Sequence, residues 1–335
     1  MTAANTAELT RRRPAAAVFL GSWASQVGIT IAFLVLWALF IVLAPMTFLG
    51  SAIYLSFAQT TPYFAIVAMP LTMVIVAGDI DLSFPSTMAL GMVGFVWVWQ
   101  ATGSTELGVA AAIVVGLLCG LFNGLVVTLI GLPALVVTIG TQFLYRGLTL
   151  ALVNGKTTAL VQTRQSAIYD FLAGKPLLGI PAEFFWLLLA TVIAWALLNR
   201  HRLGQNAYVI GDNRQAAQLM GIPNRSTRIV LFMLVGGAAA FAGALNSLRV
   251  VNFYPGNLGD GFFLPALAAV FVGGTSVFGG RGSVYGTLIG AFMIGAIQAG
   301  IVAAGLSTYW TSVIYGAIIL GSISIHAVLQ RRFER

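Results

Sequence analysis

Asp79 and Asp81 are the residues whose chemistry is least expected in this chain, because they lie between two long apolar segments, in residues 77–86. An acidic group at membrane depth is costly and is therefore a functional candidate. Asp81 could equally cap the helix that follows, since a side-chain oxygen can accept hydrogen bonds from the free N–H groups of a first turn. A capping carboxylate can serve both roles, so the residues leave both open.

Other polar side chains interrupt apolar segments and could line a path for a polar solute. Hydroxyl and amide groups both donate and accept hydrogen bonds, which suits such a path, but they do not identify one solute. The apolar segment that precedes Asp79 contains Pro62 and Pro70 and is predicted to be bent or broken, as helices in many transport pathways are. The predicted path residues are Asp81, Ser83, Ser86, Asn123 and Thr138.

Residues 200–228 form a basic, polar interruption of the apolar pattern. A short helix is predicted over 212–221, because Asp212 or Asn213 can cap its start and Gly221 can adopt the left-handed conformation that ends it. A compact polar helix between two membrane spans offers a surface on which a protein outside the membrane can act. The residues assigned to this contact are Asp212, Asn213, Arg214, Gln215, Ala216, Ala217 and Gly221.

The segment 273–283 contains five glycines and an arginine. Close backbone approach at a tight cytoplasmic turn is favoured over an anion-binding nest, because a glycine-rich turn alone is a weak ligand signal. The turn residues are Gly279, Gly280, Arg281 and Gly282. Two further glycine series, 116–124 and 286–290, predict tight helix packing, either within the chain or against a second subunit.

The sequence carries little that could support catalysis. It contains no phosphate-binding loop, so the chain is not expected to bind ATP by that motif. His201 and His326 are far apart, and neither lies with carboxylates at metal-ligand spacing, so no metal site is predicted. Cys119 is the only cysteine, which excludes an internal disulfide, and it is expected to pack within a span. A transport role is therefore favoured over an enzymatic one.

Composition identifies an integral membrane protein. Of 335 residues, 59% are hydrophobic and 8% are charged, against about a quarter charged in soluble domains. Continuous apolar runs predict an all-α, polytopic helical bundle with about ten spans and both termini cytoplasmic. The predicted spans are 27–44, 50–77, 84–101, 107–130, 133–153, 181–199, 227–249, 261–278, 284–304 and 308–328.

The basic residues predict the orientation. Most of the 17 Lys and Arg residues would lie on one side, which the positive-inside rule makes cytoplasmic. Nucleic-acid binding is rejected, because the basic residues come without a soluble domain or exposed aromatic residues. The predicted organisation is a cytoplasmic N-terminal segment (1–26), a transmembrane domain (27–328) with a cytoplasmic loop (200–228) and a periplasmic loop (154–181), and a cytoplasmic tail (329–335). The periplasmic loop could dock a partner or simply connect two spans.

Four ordered motifs resemble the permease subunits of ribose/xylose-type ATP-binding-cassette sugar importers, over about residues 60–325. Gly78 to Ser83 resembles the family's Gly-Gly-Ile-Asp-Leu-Ser signature, although Asp79 replaces its second glycine. The other motifs are Thr138 to Thr141 with Arg146-Gly147, Gly211 to Ile222, and Gly273 to Ser276 with Gly279 to Ser283. Phe84-Pro85 replaces a small, flexible pair, and Gln215 stands where the family usually has Glu.

The resemblance implies a bacterial inner-membrane protein that pairs with a second permease subunit of the same or a related kind. It also implies cytoplasmic ATPase subunits, which bind ATP and Mg, and a periplasmic sugar-binding protein that delivers the solute. The chain itself would bind no cofactor. ATP binding would move the 212–221 coupling helix and tip the spans between outward and inward openings.

Two other functions stay open at this stage. The importer could carry branched-chain amino acids, since the permeases for those solutes look distantly similar. A self-sufficient secondary carrier is less expected, because it would need buried charges for ion coupling and mid-span charges are nearly absent.

Overall fold

The computed structural model describes residues 15–175, 179–303, 305, 307 and 309–333. Side chains are not described for residues 15–25, 302–303 and 325–333. Most of the predicted N-terminal segment 1–26, the side chain of His326 and the side chains of the predicted tail 329–335 therefore lie outside the described part.

The described chain is nearly all helical, which confirms the predicted all-α class. Its α-helices are α1 (Ala15–Leu43), α2 (Pro45–Phe48), α3 (Ser51–Val76), α4 (Phe84–Thr102), α5 (Thr105–Leu125), α6 (Ala134–Leu152), α7 (Tyr169–Ala173), α8 (Ala182–Asn199), α9 (Arg202–Asp212), α10 (Arg214–Leu219), α11 (Asn224–Arg249), α12 (Asp260–Val272), α13 (Val284–Ala303) and α14 (Tyr309–Phe333). A π-helical turn, Val126–Ile130, extends α5, and Val161–Gln165 is a 3₁₀ turn. Two short antiparallel strands, β1 (Thr158–Ala159) and β2 (Asn252–Phe253), pair with each other.

Seven helices of the described part are long and apolar enough to cross a membrane, which fits the predicted multi-pass bundle. They correspond to the predicted spans other than 84–101, 261–278 and 308–328. The predicted span 261–278 is shorter in the structure. Helix α12 ends at Val272 after 13 residues, because the glycine-rich segment begins there. The count of ten spans stays a prediction.

Helix α3 is the centre of the bundle. It packs against α8, α11, α12 and α13, and nearly all of its side chains from Phe57 onward are buried. A helix that is apolar on every side is expected in such a position. The predicted break is wrong, since α3 is continuous through Pro62 and Pro70.

The predicted glycine series pack within the chain. Gly116, Gly120 and Gly124 of α5 lie against the backbone of α11, where added Cβ atoms would overlap the carbonyl oxygens of Gly236 and Phe232. Gly286 and Gly290 of α13 lie in the same way against the backbone of α12 and its following residue. These contacts within the chain account for the glycine spacing without an interface to a second subunit.

Candidate functional site

Two successive short helices, α9 and α10, stand at the end of the bundle that carries residues 200–228, which we call the basic end. His201 begins α9, its Nδ1 accepting a hydrogen bond from the Leu203 N–H at 3.1 Å. Asn213 begins α10, its Oδ1 accepting from the Ala216 N–H at 2.9 Å. Gly221 ends α10 at a φ of 74°. The prediction that Asn213 and Gly221 bound a short helix here is therefore confirmed.

The structure corrects two details of this region. The single helix predicted over 212–221 covers only Arg214–Leu219, and the polar residues before it form α9, which the sequence analysis missed. Asp212 is the last residue of α9 and does not cap α10. The turn after α10 has the paired bonds of a Schellman motif, Ile222 N–H to Ala217 C=O at 3.0 Å and Gly221 N–H to Gln218 C=O at 3.1 Å.

Helix α10 projects most of its side chains away from the bundle. Ala217 is buried and faces inward, whereas Gln215 and Gln218 are exposed. Leu219 is 90% exposed and Met220 is 63% exposed. An adjacent pair of large apolar side chains at the tip of a polar helix is typical of a contact surface.

Four glycines join α9 to the bundle, and we call them the glycine junction: Gly78, Gly211, Gly279 and Gly280. The Gly280 N–H donates to the carbonyl of Val76, the last residue of α3, at 2.8 Å. A Cβ on Gly211 would overlap that carbonyl oxygen. Gly279 and Gly280 have φ values of 86° and 71°, which L side chains rarely adopt. This is the close backbone approach favoured for these glycines.

The rest of the glycine-rich turn supports the same contact. The Tyr208 hydroxyl of α9 donates to the Gly282 carbonyl at 2.8 Å. The carbonyl of Arg281 accepts from the Ser276 N–H at 2.9 Å, while the residue itself is exposed. The turn therefore fixes α9 against the end of α3.

Asp79 lies beside this junction and forms an ion cluster with two arginines. Its carboxylate accepts two hydrogen bonds from Arg228 of α11, at 2.5 Å from Nε and 2.8 Å from Nη2. Arg214, the first residue of α10, donates to Oδ1 of the same carboxylate at 3.2 Å. Asp79 and Arg228 are buried, and Arg214 is partly exposed. This cluster was not predicted from the sequence, in which Arg228 is one of several arginines in the basic segment 200–228.

The predicted path residues lie just beyond Asp79 in the chain. Asp81 Oδ1 accepts from the Ser83 N–H at 2.8 Å and the Ser83 hydroxyl at 2.7 Å. Asn123 donates to the Ser83 hydroxyl at 2.7 Å, and the Tyr145 hydroxyl donates to Asn123 Oδ1 at 2.9 Å. All four side chains are buried. They form one hydrogen-bonded chain, from here on the polar chain, whose last member the sequence analysis missed.

The remaining two path residues lie outside this chain of bonds. The Thr138 hydroxyl donates to the Ile80 carbonyl at 3.2 Å. The Ser86 hydroxyl is buried and has no hydrogen-bond partner among the described residues. Asp81 does not cap α4, since Ser83 occupies the N-cap position and Asp81 accepts from that residue instead. A cavity of about 910 Å³ between α1, α8 and α13 is lined by none of the five path residues.

The opposite end of the bundle is also tied by charged side chains. Arg146 donates to the carbonyls of Pro255 and Leu258, at 3.0 and 2.9 Å, and to Asp260 at 2.6 Å. The described residues 154–175 of the predicted loop 154–181 pack onto the end of α11, where β1 pairs with β2. The Tyr169 hydroxyl in that loop donates to the Leu248 carbonyl at 3.2 Å.

Comparison with known proteins places the chain in a family. Residues 53–323 match the family model described as "Branched-chain amino acid transport system / permease component". The chain belongs to this family of membrane permease subunits, which fits its multi-pass helical bundle and an inner-membrane location.

Individual relatives carry more specific names. The chain is 35% identical over 234 residues to the autoinducer 2 import system permease protein LsrD of Yersinia enterocolitica, covering 68% of this chain and 69% of the relative. It is 33% identical over 235 residues to LsrD of Salmonella typhimurium, with the same coverage. No solved structure matches the chain. The resemblance to sugar-type ATP-binding-cassette importer permeases is confirmed at the level of the family.

Proposed function

We propose that the chain is the permease subunit of an ATP-binding-cassette importer and moves a sugar or a sugar-like solute into the cell. Separate cytoplasmic ATPase subunits, which bind ATP and Mg, act on α10. A periplasmic binding protein delivers the solute, and a second permease subunit completes the pathway. The basic end faces the cytoplasm, and the loop 154–181 faces the periplasm.

The geometry of α10 is the observation that carries the proposal. This helix is stopped at both ends by its own residues, stands outside the bundle and presents the exposed pair Leu219 and Met220. An apolar tip supplies contact area for a protein partner, and the polar residues around it keep the free subunit soluble at that surface. Helix α10 follows α9, and α9 is held against the end of α3. A displacement of α10 is therefore transmitted to α3.

The sugar-like cargo rests on the relatives and on the polar chain. The relatives are named for autoinducer 2 import, and their permeases match over two thirds of this chain. The family description instead names branched-chain amino acids, which is the second candidate cargo. Calorimetric titration of the cognate binding protein with pentoses, autoinducer 2 and leucine separates them: leucine binding alone would replace the sugar-like cargo with an amino acid.

The role of α10 can be tested with a matched pair of glycines. Gly221 ends α10 and Gly103 ends α4, at φ values of 74° and 72°, and a Cβ at either position would meet no atom within 4 Å. A valine imposes the same left-handed strain, about 1–2 kcal/mol, at both sites. Only the first site lies in the proposed contact with the ATPase.

The experiment compares uptake and ATP hydrolysis in proteoliposomes that contain the complete transporter. Gly221→Val is expected to raise the ATP consumed per solute imported, while Gly103→Val keeps the wild-type ratio. Equal ratios in both variants would contradict the assignment of α10. Uptake by vesicles that lack the ATPase subunits would instead support an ATPase-independent carrier and end the proposal.

A further inference from the structure

Asp79 connects three segments through charge: the loop after α3, the first residue of α10 and the start of α11. The side chain of Asp79 is 5% exposed and that of Arg228 is 8% exposed, so this pair is withdrawn from water. Arg214 reaches the same carboxylate from outside, with 45% of its side chain exposed. One buried acid thus holds an inner and an outer arginine.

The two arginines have different roles, because they differ in burial and in contact distance. A buried carboxylate and guanidinium with two bonds compensate each other's loss of hydration, and removing either one leaves an uncompensated buried charge. The Arg214 contact is longer and partly solvated, and such pairs contribute little to stability. Arg228 therefore fixes the Asp79 carboxylate in place, whereas Arg214 links that carboxylate to α10.

The chain after Asp79 leads directly into the bundle interior. The Ile80 carbonyl accepts from Thr138 of α6, and Asp81 begins the polar chain through Ser83 to Asn123 of α5 and Tyr145 of α6. A displacement of the segment 79–83 must therefore disturb hydrogen bonds on both α5 and α6. Contiguous bonded networks of this kind can carry coupling between distant sites, and the decisive evidence is a measured coupling.

We propose that Asp79 is the positioning residue that transmits movement of α10 to α11 and, through residues 80–83, to the polar chain between α5 and α6. This inference rests on the proposed function, because it takes α10 as the surface on which the ATPase acts. It assigns to Asp79 a role in coupling that the family signature, with glycine at this position, does not supply.

Arg214→Gln is the first test variant, because it leaves the buried pair intact. The readout is ATP consumed per solute imported by the complete transporter in proteoliposomes. The expected increase is roughly fivefold, the lower end of typical coupling effects. The matched control is Arg225→Gln, since Arg225 is exposed on α11 and forms no ion pair among the described residues. The control is expected to keep the wild-type ratio.

A second variant addresses Asp79 itself without leaving a buried charge. The double substitution Asp79→Leu with Arg228→Met replaces the pair by apolar groups, a change that often preserves stability. The expected result is a normal thermal midpoint with the same increase in ATP per solute. A purely structural role would instead leave this ratio unchanged once the protein is folded.

The outcomes separate this inference from the function on which it rests. If Gly221→Val uncouples transport while Arg214→Gln and the double variant both keep the wild-type ratio, α10 is the coupling helix and the role of Asp79 is wrong. If Gly221→Val also leaves the ratio unchanged, the proposed function itself fails. An increase in both Arg214→Gln and the double variant, with none in Arg225→Gln, supports the inference.

Discussion

The guanidinium of Arg146 lies 2.6 Å from the carboxylate of Asp260, and the same side chain also holds two backbone carbonyls ahead of α12. These bonds join α6 to the segment 255–260. That segment presses against the start of α4, since a Cβ on Gly259 would overlap the Pro85 carbonyl oxygen. One arginine therefore sets the relative position of α4, α6 and α12.

Arg146→Lys is expected to destabilise this arrangement. Lysine lacks the planar fork that reaches several acceptors at once, so about two hydrogen bonds are lost, at about 1 kcal/mol each. The thermal midpoint of the purified protein should fall, whereas Arg164→Lys, at an exposed arginine in the loop 154–175, should leave it unchanged. Equal midpoints for both variants would mean that Arg146 does not organise this segment.

The packing of α5 against α11 predicts opposite effects of alanine at two helical glycines. A Cβ on Gly120 would lie 2.6 Å from the Met233 Cα, whereas a Cβ on Gly140 of α6 meets nothing within 4 Å. Gly120→Ala should cost about 1–3 kcal/mol through overpacking. Gly140→Ala should be neutral or stabilising by up to about 1 kcal/mol through helix propensity.

Thermal unfolding in one detergent measures both alanine variants. Their opposite signs are the test, because an unspecific effect of alanine would move both midpoints in one direction. Tolerance of Gly120→Ala would mean that α5 and α11 are not in backbone contact.

The buried hydroxyl of Tyr145 predicts a second matched comparison. Tyr145→Phe removes the donor to the buried Asn123 Oδ1, and an unsatisfied buried acceptor costs about 1–3 kcal/mol. Tyr54 donates to the Phe48 carbonyl but is 44% exposed, so this bond is not enclosed by the protein. Tyr54→Phe should shift the thermal midpoint much less than Tyr145→Phe, and the reverse order would contradict a polar chain sealed from water.

Local features of this chain could be predicted from the sequence, because they depend on neighbouring residues. Asn213 and Gly221 mark the ends of α10 by their intrinsic preferences at a helix start and a left-handed turn. The glycine spacing on α5 likewise predicts close packing, although the partner, α11, follows only from the fold. Helix α9 was missed because its apolar residues, such as Ala207 and Ile210, alternate with polar ones and form no continuous span pattern.

Long-range pairings could not be predicted in the same way. Asp79 and Arg228 are 149 positions apart, and the sequence around either residue does not identify the other as its partner. Arg228 carries the same charge as the exposed arginines around it, so its burial is visible only in three dimensions. Tyr145 joins the polar chain for a similar reason, since a tyrosine on an apolar helix gives no sign of its acceptor.

The side of the membrane on which α10 lies decides whether a cytoplasmic ATPase can act on it. Cys119 is the only cysteine and is buried, so Leu219→Cys places one reactive thiol at the exposed tip, and Gln162→Cys places one at the opposite end. An impermeant maleimide added to intact cells is expected to label Gln162→Cys but not Leu219→Cys. In inside-out vesicles it should label Leu219→Cys, and bound ATPase subunits should block that reaction. Labelling of Leu219→Cys from outside intact cells, or unimpeded labelling in the presence of the ATPase, would contradict the account.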